Sequence, residues 1–177
     1  MEEKINKENQ QENREEQISK IHIPRWNEIP DLELYLDQVV NYLEKILTLY
    51  TVNKEDKIIT KTMINNYVKQ GIIPAPEKKK YNRSHIAYLI VICILKQVYS
   101  INDIGRLISQ TIKYFEISKA YNRFCVNLEL SIKNVFIRKE LPHIQKMTEE
   151  QYLLKNVVQS VADKLYVEIK FLNKEKK

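Results

Sequence analysis

The chain has 177 residues, 44% hydrophobic and 29% charged, which is the make-up of a soluble globular protein large enough for a sizeable core. Two glycines and five prolines leave too little punctuation for a hairpin-rich all-β fold, so helices joined by short polar loops are expected. The formal charge of +6 is uneven: residues 1–17 hold Lys4, Lys7 and Arg14 against six glutamates, net −3, leaving +9 on the remainder and pointing to a polyanionic partner.

Residues 1–19 contain almost nothing apolar and predict a disordered tail, because burial there cannot offset the entropy of ordering. Residues 20–30 predict an extended arm, since Pro24 and Pro30 each push the preceding residue out of the helical region. Trp26, the sole tryptophan, is expected to pin that arm to the body. Asp31 predicts the N-cap of a helix reaching about Leu49, with Leu32, Tyr35, Leu36, Val39, Leu43, Ile46 and Leu47 as one apolar stripe. Thr51 to Lys57 reads as a polar connection.

Thr60 predicts the cap of a helix from Lys61 to Gln70. Met63, Ile64, Tyr67 and Val68 face inward in this reading, and Lys61, Thr62, Asn65, Asn66 and Lys69 face outward. Gly71 suits the left-handed position that ends a helix, and Ile72 and Ile73 re-enter the core. A basic loop follows, Lys78, Lys79, Lys80, Tyr81 and Arg83. From Lys57 to His85 seven cations face Glu77 alone, net +6. Asn82 then caps a helix whose residues Ile86 to Leu95 are apolar on every side, so other elements must surround it. The N-terminal and C-terminal helices are the candidates. Ser100 and Asp103 predict a cap for a short helix to about Ser109.

A long helix is expected from about Tyr114 to Lys139, with Ile117, Tyr121, Phe124, Leu128, Ser131 and Val135 close to a heptad seam. Pro142 stops it. Thr148 and Gln151 predict a capping box for a last helix from Glu149 to about Asn173, and the end of the chain frays. The expected organisation is a tail (1–19), an arm (20–30), a helix-turn-helix region with its preceding helix (31–109) and a C-terminal helical region for packing or dimerisation (110–177).

His22, His85 and His143 fall in three segments without metal-ligand or paired-carboxylate spacing, and two isolated glycines cannot build a phosphate loop. Cys93 and Cys125 lie in apolar helical patterns and predict buried thiols. The expectation is therefore no enzyme, no catalytic residue, no metal and no cofactor. No secretory pattern opens the sequence and the longest apolar run is about ten residues, too short for a membrane span, so a cytoplasmic protein is expected.

Helix 61–70 has the design of a DNA reader, with apolar residues on one face and polar ones on the other. Asparagine can both accept from and donate to adenine in the major groove, while lysines neutralise phosphates. Candidate DNA-binding residues are Lys61, Thr62, Asn65, Asn66 and Lys69 on the helix and Lys78, Lys79, Lys80, Tyr81 and Arg83 on the loop.

Residues 60–73, through Thr60, Ile64, Tyr67, Gly71 and the following pair, resemble the second helix of the MerR family, S-V-R-T-L-R-Y-Y-E-x-x-G-L-L. Pro74 and Pro76 fall near that family's L-x-P. Tyr81, Asn82, Ile86, Leu89 and Ile92 follow its Y-[ST]-x-x-D-L-x-x-L-x-x-I, and residues 100–108 are similar to F-S-L-E-E-I-K-x-L-L. Asn65 and Asn66 stand where the family has Arg-Tyr, so its contacts do not carry over there. The resemblance covers about residues 58–108 and implies a winged helix-turn-helix whose dimer binds a pseudo-palindromic operator. The chain as a whole resembles an uncharacterised family of Gram-positive bacteria with the opening I-P-R-W-x-E-x-P-D-L-x-L-Y-x-D-Q-V.

The resulting expectation is an all-α protein, a MerR-like winged helix-turn-helix core wrapped by a long N-terminal helix and two long C-terminal helices. Its expected partner is double-stranded DNA, bound as a homodimer through the C-terminal helices, with no membrane partner and no residue set marking an inducer pocket. The alternative is a helical protein-interaction module that kept the scaffold without binding DNA.

Overall fold

Ten consecutive apolar residues in a chain this polar must be enclosed, and the computed structural model, which describes residues 21–48, 57–137 and 147–172, encloses them. The segment forms a helix, Arg83–Leu95, in which only Val91 of the apolar run is half-exposed. In chain order the elements are β1 (Leu34–Tyr35), α1 (Leu36–Ile46), α2 (Lys61–Lys69), β2 (Lys80–Tyr81), α3 (Arg83–Leu95), α4 (Ile101–Tyr114), α5 (Ile117–Phe136) and α6 (Glu149–Lys170). A single 3-10 turn, Trp26–Glu28, precedes them. The protein is predominantly helical, with two short strands in place of the purely helical architecture expected. The chain divides into two compact units, one of Pro24–Cys125, the other of Met1–Ile23 with Val126–Lys177, and α5 runs across the division.

Within the first unit α3 packs against α1, β2 and α4. Asn82 Oδ1 accepts from the His85 N–H at 3.3 Å and starts α3 as expected. At its other end Lys96 donates to the Ile58 carbonyl and lies 3.8 Å from Met63 Sδ, tying α3 to the start of α2. β1 and β2 pair antiparallel, with Leu34 opposite Tyr81 and Tyr35 opposite Lys80. The arm is held by α5: the Tyr121 hydroxyl donates to the Pro24 carbonyl at 2.6 Å, and Asn122 Oδ1 accepts from the Trp26 N–H at 2.8 Å. Burial pushes the Tyr121 phenol far above its ordinary pKa, so it stays a donor.

In the second unit Glu129 accepts from the Ile23 N–H at 2.6 Å. The Phe136 ring meets Tyr166 edge-on at 5.4 Å, and α6 buries Val157, Val158, Val161, Ala162, Leu165 and Ile169. The Thr148 cap is present, its Oγ1 accepting from the Gln151 N–H at 3.3 Å. Val167 of that helix and Phe171 just past its end are 44% and 59% exposed.

Three boundaries differ from expectation. The first helix begins at Leu36 rather than after Asp31, because the backbone at Leu34 and Tyr35 is taken up by β2 and Gln38 Oε1 accepts from the Tyr35 N–H at 2.9 Å. The arm is not extended throughout, since the Arg25 carbonyl accepts from the Glu28 N–H at 2.8 Å and closes a turn at Trp26. Helix α4 continues past Ser109 to Tyr114, and α5 starts at Ile117, with Phe115 in extended backbone between them. The expected tail, most of the 51–57 connection, the Pro142 stop and the fraying end lie outside the described residues.

Candidate nucleic-acid interface

Helix α2 is built as expected. Thr60 Oγ1 accepts from the Met63 N–H at 3.2 Å, Ile64 and Tyr67 are buried, Met63 and Val68 are half-buried, and Gly71 closes the helix at φ 69. Only glycine takes that left-handed backbone without a Cβ penalty. The inward face is seated on the core: the Tyr67 hydroxyl is pushed up to about 12 by burial, with Cys93 of α3 adding to the shift. Cys93 is itself pushed up to about 12 by burial, and neither cysteine forms a disulfide. Lys61, Thr62, Asn65, Asn66 and Lys69 are all exposed, forming one polar face.

The basic loop is a tight turn. The Glu77 carbonyl accepts from the Lys80 N–H at 2.8 Å, and the two central residues, Lys78 and Lys79, have φ of 46 and 63. Positive φ at both central positions is the backbone of a type I′ turn, for which Asn-Gly is the preferred pair. Two lysines there cost about 1–3 kcal/mol each in backbone strain. Both are exposed, and neither enters an ion pair among the described residues.

Between α2 and this turn lies an open cleft of about 560 Å³, lined by Tyr35, Leu36, Asp37, Asn65, Pro76, Lys79 and Tyr81. Asn65, Lys79 and Tyr81 thus meet at one place. Tyr81 is 3% exposed and packs edge-on to His85 at 5.5 Å, so it holds the turn to α3 rather than presenting its ring outward.

Three other candidate residues have intramolecular partners. Lys61 Nζ lies 2.5 Å from Asp37 Oδ1, Lys80 Nζ is 3.4 Å from Glu33 Oε2, and Arg83 Nη2 is 3.3 Å from Asp31 Oδ1. Arg83 also donates from Nε to the Ile29 carbonyl at 3.2 Å, and its guanidinium sits 5.9 Å from the Trp26 ring centroid. It therefore anchors Trp26, the arm residue expected to do the pinning. Lys80 lies 5.9 Å from the Tyr35 ring centroid. Adding Asp31, Glu33 and Asp37 to the seven cations and Glu77 counted above brings the net charge from +6 to +3. Sequence reasoning missed these carboxylates because it placed them on a continuous helix. The period-two alternation of Leu32, Glu33, Leu34 and Tyr35 was the available strand signal.

His85 lies beneath the turn. Asn82 holds its Nδ1 edge, 2.7 Å from Oδ1, while Nε2 is buried without a hydrogen-bond partner. Burial lowers its pKa, opposed by the nearby Ala75 and Pro74 backbone and by Glu77. A histidine whose folded pKa lies below its unfolded value adds stability that is complete above the unfolded value, about 6.5, and lost as pH falls below it. The thermal midpoint should therefore drop as pH falls from about 7.5 to about 5.5. His85→Gln should flatten that drop, and an equal drop in the variant would assign it to other groups.

Among the described residues, no group of three or more His, Cys, Asp or Glu is placed to hold a metal ion, and no helix is long and apolar enough to cross a membrane. A family model matches residues 24–124, more than half of the chain and nearly the bounds of the unit that carries the cleft. The chain belongs to the DUF1836 family, a domain of unknown function. No curated protein and no solved structure matches the chain. The DUF1836 match contains every candidate residue of the interface, from Lys61 to Arg83.

Proposed function

We propose that the chain is a DNA-binding transcriptional regulator of the MerR-like winged helix-turn-helix type, with α2 as recognition helix and the Lys78–Lys79 turn as its wing. The observation that carries this reading is the wing tip. Two lysines occupy strained left-handed positions where Asn-Gly forms the same turn at less cost, which favours a role for their side chains. The exposed polar face of α2 across the cleft supports it, as does the order strand, helix, helix, turn, strand, helix, helix from β1 to α4. In this reading the C-terminal unit dimerises the chain. Val126, Leu130 and Ile137 are exposed and recur at a spacing that places them along one side of α5, including the residue just past its end. A dimer presents two copies of α2 to the half-sites of a pseudo-palindromic operator.

The test is capture of genomic DNA fragments by the tagged full chain over a range of salt, with sequencing of what is bound. A motif with inverted-repeat symmetry, lost steeply as salt rises, is the expected result. Asn65→Ala should remove about 1–3 kcal/mol of discrimination at one base pair while changing binding to random duplex little. Equal losses on both would argue against base readout at Asn65.

A second reading is favoured by the three carboxylate-paired cations and by the exposed Tyr152, Leu153, Phe171 and Leu172 of the C-terminal unit. It is a helical protein-interaction module on the same scaffold. It predicts no duplex binding even at low salt.

A further inference from the structure

Three cations of the proposed interface come from three elements, Lys61 from α2, Lys80 from β2 and Arg83 from α3, yet their carboxylate partners all come from one stretch, residues 31–37. The acids are the more exposed partner in each pair: side chains of Asp31, Glu33 and Asp37 are 85%, 53% and 67% exposed, against 20%, 38% and 58% for Arg83, Lys80 and Lys61. Asp37 also lines the cleft, and each of the three acids is paired with a candidate cation. Among the described residues, Lys69, Lys78 and Lys79 have no such partner.

We infer that Asp31, Glu33 and Asp37 are specificity-determining residues, standing where phosphates would stand on three of the six cations and repelling duplexes that cannot displace them. The inference rests on the DNA reading. A cation already facing a carboxylate releases no counterion from DNA unless the acid moves aside, and the displaced acid then lies among phosphates of its own sign. Sequence-independent binding, which consists of phosphate neutralisation, is left to the unpaired lysines. Complexes with base contacts by α2 supply the compensating interaction. Discrimination is thereby built from a repulsive element as well as attractive ones.

The experiment measures affinity of the full chain for random duplex as a function of salt, for the wild type and for D31N/E33Q/D37N. A control, E44Q/E149Q/D163N, carries the same net-charge change at acids that pair with no cation among the described residues. Three unpaired lysines give a log–log slope of about −2.7 per protomer, and releasing three more cations moves it toward about −5.4. Between about 50 and 200 mM salt the affinity loss then grows from roughly 40-fold toward roughly 2,000-fold. The variant should bind random duplex more tightly at low salt and discriminate less against it, with the control near the wild type. An unchanged slope in D31N/E33Q/D37N, or an equal change in the control, overturns the inference and leaves the DNA reading standing. Absence of duplex binding by all three proteins at low salt overturns the DNA reading and the inference with it.

Discussion

Replacing Lys78 by asparagine and Lys79 by glycine should make the protein more stable and, on the proposed DNA reading, weaken its binding to duplex. Asparagine tolerates left-handed backbone and glycine adopts it without penalty, so the turn at φ 46 and 63 loses its strain. A gain of about 1–5 kcal/mol is expected, the relieved strain of about 1–3 kcal/mol at each position less about 1 kcal/mol for the extra freedom glycine gives the unfolded chain, read as an upward shift in the urea midpoint. The same change deletes two exposed cations that enter no ion pair among the described residues, lowering the magnitude of the log–log salt slope by about 1.8 per protomer. At about 50 mM salt the affinity for duplex should fall at least tenfold, since each phosphate contact is strongest at low ionic strength. Opposite signs in the two measurements separate the side chains from the scaffold, because a variant that lost binding through damage to the fold would also lose stability. K78A/K79A is the companion variant: it removes the charges and keeps the left-handed strain, so it should lose binding without gaining stability. Undiminished binding by both variants would remove the wing from the interface.

Local chemistry decided which parts of the interface were legible in the sequence. Thr60, Gly71 and Asn82 each announce a boundary through a side-chain or backbone property that acts over three or four residues, and each boundary is where that property puts it. The outward set on α2 follows from helical periodicity once those ends are fixed. The strand at Leu34–Tyr35 depends instead on a partner 47 positions downstream at Tyr81, and no local rule reports such pairing. Its leucines and tyrosine also fit a helical stripe, which makes Asp31 the cap of that helix and leaves Glu33 and Asp37 on its polar side. With the strand misread, the ion pairs were unreadable, and with them the halving of the local charge.

The end of α4 illustrates a different limit. Residues 109–114 contain exposed Ile112 and Tyr114, so no buried stripe marks another turn. A helix already formed continues because each added residue gains a hydrogen bond without a new nucleation cost. The Phe115 N–H still bonds to the Thr111 carbonyl at 3.1 Å before the backbone turns extended. Trp26, the residue expected to pin the arm, meets Arg83, a residue expected on the outward basic loop. An arginine beside lysines reads as part of a basic patch, and only tertiary structure reveals that it is 20% exposed and bonded to the Ile29 carbonyl.

Ile90→Ala should strongly destabilise the DUF1836 domain. Ile90 is fully buried in α3, the helix that packs against α1, β2 and α4. Removing three carbons there forfeits their transfer free energy and leaves a cavity that β-branched neighbours such as Ile86 and Ile94 are too stiff to fill. The expected loss is about 2–5 kcal/mol, a large share of the stability of a domain this size. Val91, one position on and half-exposed, is the internal control, and Val91→Ala should cost under about 1 kcal/mol because it removes less surface from contact and leaves no closed cavity. Urea unfolding followed by far-ultraviolet circular dichroism measures both. The effect reaches the interface because Tyr81 and His85, packed edge-on beneath the turn, are seated at the start of this helix. Loosening α3 therefore also loosens the turn, and on the proposed DNA reading Ile90→Ala should weaken duplex binding near its unfolding midpoint while wild type and Val91→Ala still bind. Equal stability losses at positions 90 and 91 would mean that α3 is not enclosed as described, and the placement of the wing upon it would fail with it.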